Sequence, residues 1–298
     1  MYKTMSRITY LLACVFLFSL TTFVHSQDQD EKIIISGASG KLGGLAVEEL
    51  LERGVQPDRL ILVSRTPEKL ESYAQMGASV RFGDFARPES LADAYKGGDR
   101  MLLISISSGG NKRAELQATA IDAAIKAGVN HIAYTSFVNM DNNTSPIAND
   151  HRTTENYLKQ SGVAWTMLRN HIYMDGQVAQ AAQMVKDGRA VVPPNETLMG
   201  YVTREDCADA AVGALITPGH EYKAYDITGP ELIGVRQIAE AASAVTGKKI
   251  EIIEGTQTPG GFRLSGDFFS ITSDAVELLT GRPATSIRDL LEANKQNL

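Results

Sequence analysis

From residue 32 onward, short apolar runs alternate with longer stretches in which apolar positions recur every three or four residues. The short runs are KIIIS (32–36), LILVS (60–64), SVRFG (79–83), RMLLIS (100–105), HIAYTS (131–136) and WTMLR (165–169). Continuous apolar runs of this length are what strands buried on both faces require. Between them, Leu42, Leu45, Ala46 and Leu50 keep the spacing of one helix face, and Ala120, Ala124 and Ala127 do the same before the fifth run. Repeated strand–helix units predict an α/β fold: a parallel sheet with helices on both sides. Right-handed crossovers make that sheet doubly wound and Rossmann-like.

After Arg169 the rhythm changes. A helical pattern runs to Val185, followed by a short strand RAVVP, a helix over 204–216, a strand AYDIT, and helical segments over 235–245 and 286–294. These are too few for a second sheet of similar size. They predict a small α/β C-terminal substrate lobe over residues 171–298, closing over the strand ends of a nucleotide-binding domain of residues 27–170.

The first 26 residues depart from both patterns. Lys3 and Arg7 precede the apolar core LLACVFLFSL, and Val24-His25-Ser26 ends in a small residue before Gln27. This is the layout of a signal peptide and implies an exported chain, periplasmic or secreted. The alternative is an uncleaved membrane anchor, because Ile8 to Gln27 carries no Asp, Glu, Lys or Arg and is close to the shortest length that spans a bilayer.

Charge and cysteine content then remove several classes. The whole chain has 29 Lys+Arg against 35 Asp+Glu, net −6, and loss of Lys3 and Arg7 with the leader makes it −8. No basic run offsets this, which argues against a nucleic-acid partner. Of the two cysteines Cys14 lies in the leader, so Cys207 has no intramolecular partner and no disulfide framework exists. Asn142, Asn143 and Asn195 head Asn-x-Ser/Thr sequons, relevant only to an exported chain in a glycosylating host.

The chemistry enters with Gly37-Ala38-Ser39-Gly40-Lys41-Leu42-Gly43, a G-x-x-G-x-x-G loop between the first strand and the first helix. Glycines there let the backbone approach a pyrophosphate, whose charge sits at the helix N-terminus. The end of the second strand reads Val63-Ser64-Arg65-Thr66 and offers no acid for a ribose 2′-hydroxyl, whereas Arg65 suits a 2′-phosphate. NADPH is therefore the expected cofactor, and no metal or flavin is called for. Ser136 follows the fifth strand where short-chain dehydrogenases carry their serine, but no Tyr-x-x-x-Lys occurs anywhere in the chain. In its place Asp150-His151-Arg152-Thr153-Thr154-Glu155 puts His151 and Glu155 on one helix face as a candidate acid–base pair.

Together GASGKLG, VSR, VRFGDF, LLISISS, KAGVNHIAYTS, TSPIANDHRTTE and GVAWTMLRNHIY resemble the NmrA-like atypical short-chain dehydrogenase/reductase family, in particular its NADPH:quinone oxidoreductase 2 type. The resemblance covers residues 33 to about 175. It implies that Gly37, Ala38, Ser39, Gly40, Lys41, Leu42 and Arg65 bind the cofactor phosphates. Asp84 and Phe85 would then lie near the adenine, Ser105, Ile106 and Ser107 would line the cofactor, and Leu168-Arg169-Asn170 would close on the nicotinamide. Ser136 is included among the cofactor contacts. Reduction of a quinone gives a stabilised phenolate that takes its proton from water, so the absent tyrosine is no obstacle and orientation of the acceptor becomes the requirement. Asn170 and Tyr173 are the candidates for that orientation, with His151 beside them.

The expected activity is hydride delivery from NADPH to a quinone-like, small-molecule acceptor. The alternative is a non-catalytic NADP(H)-sensing regulatory protein. A homodimer is left open, and a membrane is a partner only if the N-terminal segment stays attached. Gly255 to Ile271 is glycine-rich and shorter than the helical insertion that covers the acceptor site in the quinone reductases.

Overall fold

A computed structural model describes residues 31–106, 112–255 and 266–298, so the expected leader, Ser107 and most of the glycine-rich stretch lie outside the described residues. The first strand, β1 (Ile33–Ser36), is buried along its whole length, as is β2 (Leu60–Ser64). The helix α1 (Lys41–Glu52) joins them, with Leu42, Ala46, Val47 and Leu50 turned inward. Helices α2 (Glu71–Gln75) and α3 (Leu91–Tyr95) flank β3 (Ser79–Phe82), and α3 leads to β4 (Arg100–Leu103). Then come α4 (Arg113–Lys126), β5 (His131–Phe137), α5 (Pro146–Gln160) and β6 (Ala164–Asn170). Pro146 at the first turn suits a helix start, since its missing N–H would find no partner there.

The remaining elements are α6 (Gln177–Asp187), β7 (Arg189–Val192), α7 (Arg204–Ile216), β8 (Lys223–Ile227), α8 (Val235–Thr246), β9 (Glu251–Glu254), α9 (Ala275–Thr280) and α10 (Ile287–Ala293). The Thr203 hydroxyl accepts the Asp206 amide at the start of α7, and Gly188 stops α6 in the left-handed region at φ 65°.

The main sheet has seven strands in the order β3-β2-β1-β4-β5-β6-β8, and every pairing is parallel. Alternate residues of the strands face two cores. Ile33, Ile35, Leu60, Leu62 and Leu102 pack with α1, α7 and α9, while Ile34, Ile61, Met101, Ile132 and Met167 pack with α3, α4 and α5. A third core, built on α6, α8, α10 and β7, forms the lobe, where β7 pairs with β9.

The main sheet continues past residue 170. Strand β8 extends the main sheet beside β6, with Leu168 opposite Tyr225, and α7 packs on the same face as α1. The chain leaves for the lobe after β6, returns for α7 and β8, and leaves again. Among the described residues no helix is long and apolar enough to cross a membrane.

Candidate active site

Every predicted site residue that the structure describes, except His151, lies at or just beyond the C-terminal end of a strand of the main sheet. The strand order reverses between β1 and β4, the place where open parallel sheets leave a crevice. Gly37 takes φ 100°, which suits glycine, and the Gly37 and Ala38 amides donate to the Val63 carbonyl at 2.9 and 3.1 Å. Gly40 then begins α1 with no side-chain cap and no acid in the first turn. A Cβ on Gly43 would stand 2.3 Å from the Gly37 carbonyl oxygen, so only glycine lets the helix approach the loop this closely. Ala38 and Leu42 are buried in the core and contribute backbone rather than side chain. The loop thus presents an uncapped helix end, favourable for an anion.

Beside it, at the end of β2, three hydroxyls form a triangle. Ser39 Oγ lies 2.5 Å from Ser64 Oγ and 3.1 Å from Thr66 Oγ1, and the Thr66 amide donates to Ser64 Oγ at 2.9 Å. Arg65 projects outward between Ser64 and Thr66 and is exposed. Asp58 lies in the turn before β2, at the opposite end of that strand from Arg65. Asp84 and Phe85 follow β3 half-buried, and the Asp84 carboxylate accepts the Ala86 amide at 3.0 Å. Across the crevice the Ser105 amide donates to Thr135 Oγ1 at 2.8 Å, which fixes the path out of β4 just before Ile106.

The ends of β5 and β6 hold a buried charge network. Ser136 faces Arg169 in register, and Phe137 faces Asn170. Glu155 of α5, 1 % exposed, accepts Ser136 Oγ at 2.7 Å, Arg169 Nε at 3.0 Å and Arg169 Nη2 at 2.9 Å, with Lys159 Nζ at 3.4 Å. Four donors on two oxygens leave this carboxylate with no free lone pair to speak of. Arg169 also reaches Asp141 at 3.2 Å, and Asp226 stands opposite it on β8. Burial raises the Asp226 carboxyl, an effect opposed by the Asn139 amide and Arg169.

His151 is not paired with Glu155. Its Nε2 accepts from Arg113 Nη2 at 2.8 Å and its Nδ1 meets Tyr134 Oη at 2.9 Å, while the ring stacks on Phe137 at 5.9 Å. It is 3 % exposed, and burial together with Arg113 pushes it down to about 3. Such an imidazole is neutral at ordinary pH and has both nitrogens engaged, which leaves neither its N–H nor its lone pair free for a substrate. Both residues do share a helix face, but that face is packed against strands and each found a longer-range partner.

Past β6, Asn170 is 5 % exposed and its Oδ1 has no hydrogen-bond partner. Tyr173 lies half-buried under the Arg204 guanidinium, 4.4 Å from the ring centre, and Arg204 is held by Asp175 at 2.9 Å. Burial, then Cys207, raises the Tyr173 phenol above its ordinary value while the Asn170 side chain opposes the shift. It stays protonated. An orphaned buried amide oxygen beside a neutral phenol, at the same C-terminal end of the sheet as the uncapped end of α1, fits a ligand long enough to carry both phosphates and a primary amide.

Comparison with known proteins decides the family. Residues 37–218, more than half of the chain, match the NAD(P)H-binding family model. The chain belongs to this family. It is 33 % identical over 218 residues to quinone oxidoreductase 2 of Escherichia coli K12, covering 73 % of this chain and 76 % of the relative. The Citrobacter sp. triphenylmethane reductase complexed with NADP(H) superposes with a TM-score of 0.81 at 30 % identity, over 90 % of this chain and 100 % of that one. The E. coli NADPH-dependent quinone oxidoreductase complexed with NADPH gives 0.78 at 28 % identity, over 88 % and 99 %. The chain is an NmrA-like, NAD(P)H-dependent reductase.

Within this NmrA-like reductase, the expected residues fall into two groups. Gly37 to Leu42 and Arg65 gather at β1 and β2, whereas Ser105, Ile106, Ser136 and Asn170 gather at β4 to β6. Sequence reasoning passed over Thr135, Ser64, Thr66, Asp141 and Arg113. Their signal was weak: each is a common polar residue whose role exists only through a partner at least 25 residues away or through a turn geometry. Lys159 was the exception, since it stands four residues after Glu155 and so keeps the spacing of the missing Tyr-x-x-x-Lys.

Proposed function

We propose that this chain uses NADPH to reduce quinones or similar electrophilic acceptors. The observation that carries this reading is the state of the site's acid–base groups. Tyr173 and His151 are held neutral, Glu155 is saturated by donors, and Ser136 spends its proton on Glu155. Such a site orients its ligands and supplies no strong acid. That suits a reaction whose oxyanion product is a phenolate, with an ordinary pKa of about 10, which is protonated by water.

The backbone of Gly37 to Leu42 would hold the pyrophosphate, Arg65 with the Ser39 and Thr66 hydroxyls the 2′-phosphate, Asp84 and Phe85 the adenosine, and Asn170 the nicotinamide amide. When bound, the cofactor supplies a hydride. Asn170 and Tyr173 then fix the acceptor's orientation, which is where the rate of such a reaction is gained. Export through residues 1–26 belongs to the same proposal and is checked by sequencing the N-terminus of the native protein.

The test is loss of reduced-nicotinamide absorbance when the protein, NADPH and a panel of benzoquinones are mixed. Turnover with at least one quinone is expected, and none with any would overturn the reading. Arg65→Glu should raise the KM for NADPH by about ten- to a hundredfold, the loss of one charge-assisted contact, and affect NADH far less.

A further inference from the structure

We propose that Arg113 is a binding site for an anionic substituent of the acceptor, a carboxylate or sulfonate. The proposal rests on the reductase reading above and names the acceptors it would favour. Arg113 is the first residue of α4 and is half-buried. Its Nη2 donates to His151 Nε2 at 2.8 Å, and its Nε is buried with no partner. Since a guanidinium only donates, Nε2 must be the lone-pair nitrogen and the ring proton sits on Nδ1, directed at Tyr134 Oη. The Tyr134 hydroxyl donates in turn to Gln117 Oε1 at 3.3 Å, and Gln117 Nε2 to Thr154 Oγ1 at 2.9 Å. All these donors run in one direction, so the guanidinium is held by a neutral and firmly oriented base.

Among the described residues no carboxylate pairs with Arg113. Arg169, by contrast, has Glu155 and Asp141 as ion-pair partners. A cation drawn partly out of water, with one neutral partner and an unmatched donor, is unfavourable until an anion completes it. Its position says which anion. The His151 ring that holds Arg113 stacks on Phe137, and Phe137 is the register partner of Asn170. The guanidinium is therefore one imidazole away from the end of β5. The uncapped end of α1 that suits the pyrophosphate follows β1, with β4 between it and β5. An acidic group on the acceptor is what that place can receive.

The experiment compares a naphthoquinone sulfonate with unsubstituted naphthoquinone in the wild type, Arg113→Gln and Arg113→Lys, with thermal denaturation as a check on folding. Arg113→Gln should raise the ratio of the two KM values, sulfonate over unsubstituted, by about ten- to a hundredfold, as loss of a charge-assisted hydrogen bond implies. Arg113→Lys should restore part of it. Calorimetric titration of the NADP-loaded protein with the sulfonate should show the same loss without turnover. An unchanged ratio, or weakened NADPH binding in Arg113→Gln, would overturn the proposal, the latter by giving the anion to the cofactor. If neither quinone is turned over, the reductase reading has failed, and the titration alone still decides whether Arg113 binds the sulfonate.

Discussion

Mild acid should destabilise this protein through its buried histidines. Three histidines are almost wholly buried: His131 and His171 at 2 % and His151 at 3 % exposed. Burial is the main cause that lowers His131 to about 4, His151 to about 3 and His171 to about 4, from an ordinary value near 6.5. The folded-state values lie below the unfolded ones. The unfolded chain therefore binds more protons between about pH 4 and 6.5, and acidification through that window favours unfolding. At pH 5 each histidine contributes about 2 kcal/mol of lost stability, about 6 kcal/mol together, against a typical total of about 5–15 kcal/mol. Urea titrations at pH 7 and pH 5 without nucleotide measure the difference directly, and the thermal midpoint should fall by roughly 10 °C. Between pH 7 and 8 nothing should change from this source. His131→Gln, at the start of β5 away from the site, should remove about a third of the dependence. Stability that is flat or rises between pH 7 and 5 would refute the reasoning.

Glu155→Gln should lower stability by about 3–5 kcal/mol, because it leaves buried Arg169 without its main counter-charge; combining it with Arg169→Met should recover most of that loss in denaturant titrations, and a strictly additive double variant would count against the network. Gly43→Ala should weaken NADPH binding by more than about tenfold, since its Cβ would meet the Gly37 carbonyl at 2.3 Å. Gly44→Ala, with nothing within 4 Å of the added carbon, should leave binding intact and add about 0.5–1 kcal/mol of stability. Fluorescence titration of NADPH separates the two, and equal effects would mean that close packing of the loop is not what matters.

Strands β1, β2, β4, β5 and β6 were legible as the largely apolar runs that a two-sided sheet needs, and LILVS matches β2 residue for residue, whereas β3 is a half-exposed edge strand that was read from its place between turns. Strand β8 was visible as AYDIT, but not the sheet it joins. Its residues are mostly exposed or half-buried, as an edge strand's are, and periodicity says nothing about which edge accepts it. Strand β9 was missed because EIIE offers only two apolar residues between charges. The positions of the glycine loop and of Arg65 could be read locally, since they depend only on the turn and strand end that carry them. The charge network could not. Helical spacing put His151 and Glu155 on one face, yet Arg113, Tyr134, Ser136 and Arg169 decide what each side chain does, and all four come from other elements.

The late return of β8 sets a schedule for synthesis. Strand β6 leaves the ribosome about 50 residues before its sheet partner, so at about 5–20 residues per second its outer edge waits for several seconds. During that interval the nucleotide half has six strands, an open edge, and no α7 to cover the α1 face. An unpaired edge of this kind invites pairing with another chain. A chain cut after Asn170 would keep every residue of the glycine loop and still be frozen in that aggregation-prone state.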